Sequence, residues 1–410
     1  MKVLREQVER EASSARAAAA ALGDDAVAAA LEAAAALLRE RRAAVLAANE
    51  ADVDAATGTL DAGMLDRLRL DVDEAAAQVE ATAALAPLER DVGRRTLANG
   101  LVVEERRIPI GTVGANFEAR PNVALDVAGQ LLKSLNAAVL RTGGAALRTV
   151  TVLVDEVLRP ALERAGLPPT AVGLVRSADR EGARVLVSLP ALVPLVILRG
   201  SGPATAELAR LAATKGVRTL AHAEGGGVLY VHAAAARAKA LALAEASLDR
   251  LGVCNRLNLL LVDRAARELL EPLFEVARGR GLEVRGEGGL PLDRPLGHEW
   301  ASDPERVATV TVALVDGLDE ALRIANDETS GLAAGIVTED GEAARRFLDG
   351  YRGTAGFWHA PTRFADGYEL TGAPETGINV DGVPGPRGPV TYRDLWLRQY
   401  RVVGDGTQRR

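Results

Sequence analysis

From residue 111 to residue 221 the chain repeats one phrase: a short apolar run, a turn, then a helix-forming stretch. Residues 111–117 read as a strand, Glu118-Ala-Arg-Pro-Asn122 as a turn and 123–134 as a helix. Further strands follow at 136–144, 171–176, 193–198 and 217–221, separated by helices at 145–165, 179–188 and 204–215. Strands that recur after helices of this length cannot pair as hairpins. They form a parallel sheet covered on both faces, so the fold class is α/β. Two of the strands end in glycine turns that lead into helices, Arg141-Thr-Gly-Gly144 and Arg199-Gly-Ser-Gly202. That is where parallel sheets receive phosphate-bearing ligands. Neither turn carries the G-x-G-x-x-G dinucleotide fingerprint, so each also reads as a plain strand-to-helix connection.

A second α/β unit surrounds Cys254, the one cysteine of the 410 residues. Gly252-Val-Cys-Asn255 precedes an apolar strand at 257–262; helices at 234–248 and 264–279 flank it. Strands at 308–315 and 333–337 and helices at 318–325 and 342–349 follow. A thiol in a loop at the mouth of a buried strand has the rigid support a nucleophile needs. As an isolated residue it would equally serve as a small core hydrophobe. Residues 1–58 read as two long helices broken at Gly23, and 72–85 as a helix capped by Asp71. Residues 101–110 read as an edge strand ending near Pro109, and 394–403 as a strand able to join another subunit.

Length calls for more than one domain. One cysteine rules out an internal disulfide and a cysteine-cluster zinc site, and no metal is expected. A net charge of −7 and 3% aromatic residues disfavour nucleic acid as a partner. No apolar run reaches spanning length, and the first residues (Lys2, Arg5, Glu6) are charged. Neither a membrane nor a signal segment is expected, and the location is read as cytoplasmic.

Many short stretches fall in one order along nearly the whole chain: Asp66-Arg-Leu68, Pro109-Ile-Gly111, Glu118-Ala-Arg-Pro-Asn122, Leu140-Arg141, Arg199-Gly200, Glu224-Gly225, Cys254-Asn255, Thr362-Arg-Phe364 and Arg387-Gly-Pro389. Together they resemble the γ-glutamyl phosphate reductase (glutamate-5-semialdehyde dehydrogenase) family of the aldehyde dehydrogenase superfamily, which belongs to proline biosynthesis. The resemblance implies an aldehyde-dehydrogenase-like fold: a nucleotide-binding domain at 1–247 with the 101–110 strand in a flap, a catalytic domain at 248–383, and a β-flap for oligomerisation at 384–410. It implies NADPH/NADP as cofactor and L-glutamyl 5-phosphate as substrate, reduced to the 5-semialdehyde through a cysteine thioester. Cys254, Asn122 and Asn255 would be catalytic. Arg141, Gly143, Arg199, Gly200, Ser201, Gly202, Glu224 and Glu299 would bind the cofactor, and Arg120, Arg363 and Arg387 the substrate. A homo-oligomer (dimer or tetramer) and a glutamate kinase are the partners implied.

The chain departs from that family in loops near the site. Asn258 stands where the family has glutamate, Thr142-Gly-Gly-Ala145 lacks the family's lysine, and Gly331-Leu-Ala-Ala-Gly335 lacks its histidine. Two alternatives therefore accompany the reductase: a paralogue reducing another activated acyl group, and a non-catalytic scaffold that kept the fold.

Overall fold

The computed structural model describes residues 2–60, 62–200, 202–222, 224–303, 305–381 and 385–408. Ser201, expected at the second glycine turn, lies outside them. The N-terminal region is three helices, Lys2–Ala19, Asp24–Glu40 and Arg42–Ala56, rather than two. The helix-favouring sequence hides a break at Arg41 (φ −95°, ψ 10°). The break lets the second helix pack on the Val72–Ala84 helix while the third packs on Leu147–Val152. Asp71 caps Val72–Ala84 as expected, accepting from the amides of Asp73 and Glu74 at 2.9 and 3.1 Å.

Strands β1 (Asp91–Thr96) and β2 (Val102–Pro109) form an antiparallel hairpin. A five-stranded sheet follows, built from β3 (Thr112–Phe117), β4 (Ala137–Thr142), β5 (Val172–Leu174), β6 (Leu195–Arg199) and β7 (Arg218–His222). Its order is β5-β4-β3-β6-β7 and every pairing is parallel. The chain thus builds outward from β3 in one direction, then returns to build outward in the other. The connections at the carboxyl ends of β3 and β6 diverge and leave a crevice between them.

The second sheet has six parallel strands: β8 (Gly227–Val231), β9 (Leu257–Asp263), β10 (Glu283–Gly286), β11 (Thr309–Val315), β12 (Ala333–Val337) and β13 (Ala355–Trp358), in the order β10-β11-β9-β8-β12-β13. Strand β9 is buried at all of its positions, as its apolar residues Leu257 and Leu259 to Val262 require, with Asn258 and Asp263 buried among them. The short pair β14 (Gly377–Asn379) and β15 (Gly388–Val390) precedes β16 (Trp396–Val403).

Three expectations need correction. Strand β2 is not an edge: it lies between β1 and β16, and Pro109 is tolerated as its last residue. Its partner β1 is exposed throughout and has no apolar face to reveal it in the sequence. Strand β16 pairs along one side with β2 of its own chain, from Trp396 opposite Pro109 to Val403 opposite Val102. As an edge strand it keeps the other side open to the second subunit that the sequence suggested. The boundary expected after residue 247 falls inside a single core, because Leu229, Val231, Ala240 and Ala244 pack with Leu257 and Leu260. The second unit therefore begins with β8. The final segment is shared too, since Val390 and Leu395 enter the core of the first unit.

Candidate active site

The carboxyl ends of the first sheet face the amino ends of the second. Phe117, Glu118, Arg199, Gly200 and His222, at or just beyond the ends of β3, β6 and β7, line one cleft with Gly252 and Cys254, which precede β9. The cleft is also lined by Glu224 and Glu299. The thiol thus opens onto the crevice that the strand order creates.

The loop carrying Cys254 is held from several sides. The amide of Gly226 donates to the Cys254 carbonyl at 2.6 Å, and that of Gly227 to the Arg256 carbonyl at 2.7 Å. Thr362 Oγ1 donates to the Asn255 carbonyl at 2.9 Å. Asn255 donates through Nδ2 to the carbonyls of Arg363 and Ala365 at 2.9 and 3.1 Å, and its Oδ1 accepts from Arg363 Nη1. Arg256 is fully buried and donates to the Val307 and Thr309 carbonyls. Arg67 donates from the Ala62–Leu68 helix to the Gly252 carbonyl.

Gly225 is required by this packing. A Cβ there would stand 2.5 Å from Cys254 Cβ and 2.6 Å from Glu299 Oε1, well inside van der Waals contact. Glu299 accepts from the Gly225 amide and the Ser302 hydroxyl, and burial holds its carboxyl above the ordinary range. Its loop is fixed by Asn258, which donates to the His298 carbonyl at 2.6 Å and accepts from the Trp300 amide at 2.9 Å. The residue that replaces the family's glutamate is thus buried and positions Glu299. Burial first, then Glu299, push the Cys254 thiol up to about 11, while Arg120 and Arg199 pull it down.

Of the expected cofactor residues, Gly200, Arg199, Glu224 and Glu299 line the cleft. Glu118 lies under both glycine turns: a Cβ on Gly200 would approach its carboxylate at 3.1 Å, and one on Gly143 would stand 3.9 Å away. Gly202 opens the Gly202–Lys215 helix. Arg141 is buried and committed elsewhere, donating to Asn116 Oδ1 and to the carbonyls of Ala178 and Asp179. A bare-backbone crevice at a helix start, with an acid able to accept from ribose hydroxyls, fits a nicotinamide dinucleotide.

The substrate arginines divide. Arg120 follows Ala119, whose left-handed backbone (φ 42°) turns the chain at the end of β3, and it lines the cleft. Arg363 is tied to Asp249 at 2.7 Å and to Asn255, and Arg387 donates to the Arg352 carbonyl. Neither lines the cleft, nor does Asn255; all three brace loops. Asn122 opens the Asn122–Lys133 helix and donates to Asp126 Oδ2 at 3.2 Å, leaving one amide hydrogen free. It lines not the Cys254 cleft but a second cavity, together with Val253, Arg120 and Arg199. Asp126, Glu375 and His222 were not foreseen as site residues. His222, the last residue of β7, lines the cleft, whereas Asp126 and Glu375 line the second cavity, and only the fold brings them there.

Residues 308–385 match the aldehyde dehydrogenase family. Relatives named γ-glutamyl phosphate reductase include that of Clavibacter michiganensis subsp. michiganensis (strain NCPPB 382), 36% identical over 379 residues, covering 89% of this chain and 86% of the relative. Another, from Erythrobacter litoralis (strain HTCC2594), is 37% identical over 376 residues, covering 89% of this chain and 88% of the relative. The crystal structure of the γ-glutamyl phosphate reductase of Thermotoga maritima superposes with a TM-score of 0.90 at 27% identity, over 98% of this chain and 100% of that one. An acetylating aldehyde dehydrogenase from Geobacillus thermoglucosidasius (TM-score 0.71, 18% identity, 99% of this chain and 98% of that one) shares the fold.

Proposed function

Because the chain belongs to the γ-glutamyl phosphate reductase family, we propose that it reduces L-glutamyl 5-phosphate to the 5-semialdehyde with NADPH, through a thioester on Cys254. The observation that carries this reading is the shared cleft: the chain's one thiol opens onto the crevice at the carboxyl ends of β3 and β6. When bound, the nicotinamide group supplies the hydride.

Cys254 is the nucleophile. Its attack on the acyl carbon divides one difficult displacement into two easier steps. The Cys254 amide has no hydrogen-bond acceptor among the described residues and is the backbone donor for the developing oxyanion, while Asn122, whose free N–H lines the adjoining cavity beside Val253, is the second candidate. Each such donor lowers the barrier by about 3 kcal/mol. Asn258 cannot take a proton, and both ends of its amide are occupied. It provides no base to activate water, which suits a thioester kept for reduction rather than hydrolysis. Glu299 accepts from ribose hydroxyls, and Gly200 and Gly202 leave room for the pyrophosphate.

The three-stranded sheet of β1, β2 and β16 exposes Leu397, Tyr400, Val402 and Val403. So small a sheet is marginal alone, and a second copy that covers it makes the protein a homo-oligomer. A free catalytic thiol goes with a reducing, cytoplasmic setting. No helix among the described residues is long and apolar enough to cross a membrane. Acyl phosphates hydrolyse readily, so the class of enzyme that must supply this one is a carboxylate kinase, here a glutamate kinase.

The reverse reaction tests the reading: NADP reduction driven by glutamate 5-semialdehyde and dependent on added phosphate. Turnover in the wild type and its loss in Cys254→Ala support it. Phosphate-independent turnover, or turnover that survives the substitution, overturns it.

A further inference from the structure

Arg67, Arg120 and Arg199 line both the Cys254 cleft and the second cavity, so they stand at the junction of the two, and of the three Arg67 is tied to the Gly252 carbonyl. Arg199 is the last residue of β6, opposite Phe117 of β3, and Arg120 lies three residues beyond Phe117. Arg199 Nε is buried with no hydrogen-bond partner; the carboxylate in ion-pair range of the guanidinium, Glu375 Oε1, is 3.8 Å away, and the charge of Arg199 also acts on Asp126. The other oxygen of Glu375 accepts from the Gly367 amide.

The Arg120 guanidinium has no hydrogen bond or ion pair among the described residues, while its carbonyl accepts from the Val123 amide. Burial first, then the cationic neighbours Arg199, Arg67 and Arg250, push its pKa down to about 10, against the opposing pull of the Cys254 thiolate. Each guanidinium carries five N–H donors that cannot be given up by deprotonation near neutral pH. Two largely buried neighbouring cations with one carboxylate in ion-pair range, at 3.8 Å from Arg199, are costly unless an anion from outside completes the site. The other candidate arginines show the contrast, since Arg141, Arg363 and Arg387 are all tied to protein acceptors.

We infer that Arg120 and Arg199 form a phosphate cradle between the two cavities. It takes the phosphoryl group of the acyl phosphate and, afterwards, free phosphate. This deepens the reading above and rests on it. Arg199 thereby belongs to the leaving group rather than to the nucleotide. In the first step the Cys254 thiolate, its proton already lost to solvent, forms an S–C bond to the acyl carbon. The bond from that carbon to the phosphoryl oxygen breaks, and the electron pair leaves on phosphate. The two guanidinium groups take up the added negative charge, so the leaving oxygen needs no proton.

The experiment measures KM values in the reverse reaction for wild type, Arg120→Gln and Arg199→Gln, with isothermal titration of inorganic phosphate into each protein. Arg120→Lys and Arg199→Lys are included as milder changes, and circular dichroism checks folding. In either Gln variant the KM for phosphate rises about tenfold or more. The KM for NADP stays near the wild-type value, and each Lys variant falls between. A raised KM for NADP or semialdehyde with an unchanged KM for phosphate overturns the cradle and leaves the reductase reading intact. If the wild type shows no phosphate-dependent turnover, the reductase reading fails and calorimetry decides the cradle alone. Phosphate bound by wild type but not by the Gln variants supports it; no binding to wild type overturns it.

Discussion

The charges around Cys254 act in opposite directions. Burial and the Glu299 carboxylate disfavour the thiolate, whereas Arg120 and Arg199 favour it. Replacing Glu299 by Gln removes a negative neighbour, so the thiol pKa falls and the thiolate fraction at a fixed pH rises. The rate of alkylation by iodoacetamide, followed against pH, should reach its half-maximum at lower pH in Glu299→Gln than in wild type. An unchanged or upward-shifted profile would show that the acid does not act on the sulfur. The nucleophile itself is tested by Cys254→Ala, in which turnover falls by about a thousandfold or more while the fold persists.

At this scale the sequence separates residue types well but not side-chain directions. Cys254, Arg120, Glu299 and Gly200 were legible because their motifs sit on loops that the strand pattern already places at a sheet end. Arg141, Asn255, Arg363 and Arg387 carry equally specific motifs, yet their polar atoms turn into neighbouring backbone or, for Arg363, into the side chains of Asp249 and Asn255. A sequence motif does not record which way a long side chain leaves the chain.

Among the elements, the loop that brings Glu299 to the cleft depends on one buried amide. Asn258 serves both the His298 carbonyl and the Trp300 amide from within β9. Asn258→Ala leaves two polar groups without partners and should lower stability by about 2 kcal/mol. Urea denaturation followed by tryptophan fluorescence measures this, and a variant within error of wild type would refute the clamp. The alternation of strands and helices gave most of both sheets correctly, because a strand buried on both faces must be apolar along its length. Strand β8 escaped notice: five residues of the same composition fit a connection as well as a strand. Strand β1 escaped for the opposite reason, since its exposed residues carry no pattern. The break at Arg41 is set by the helices packed on either side of it, not by a local signal.

For the whole molecule, the exposed three-stranded sheet is the feature that a single chain does not complete. Strand β16 leaves one backbone edge open beside Tyr400, Val402 and Val403, each about half exposed (49%, 54% and 53%). An open apolar edge is managed by pairing or by charge. Light scattering after size exclusion should give the mass of a dimer or tetramer for wild type and a smaller mass for Val402→Lys. An unchanged mass in the variant would place the contact elsewhere.

The solitary sulfhydryl, half-open at the cleft and without a sibling anywhere in the 410 residues, makes the protein its own counting device. One equivalent of an alkylating label, weighed by mass spectrometry, reports the fraction of molecules whose reaction centre is intact. Any ligand that settles nearby will register as a slower uptake of that label. No second site dilutes the signal, so occupancy can be read directly on unmodified protein.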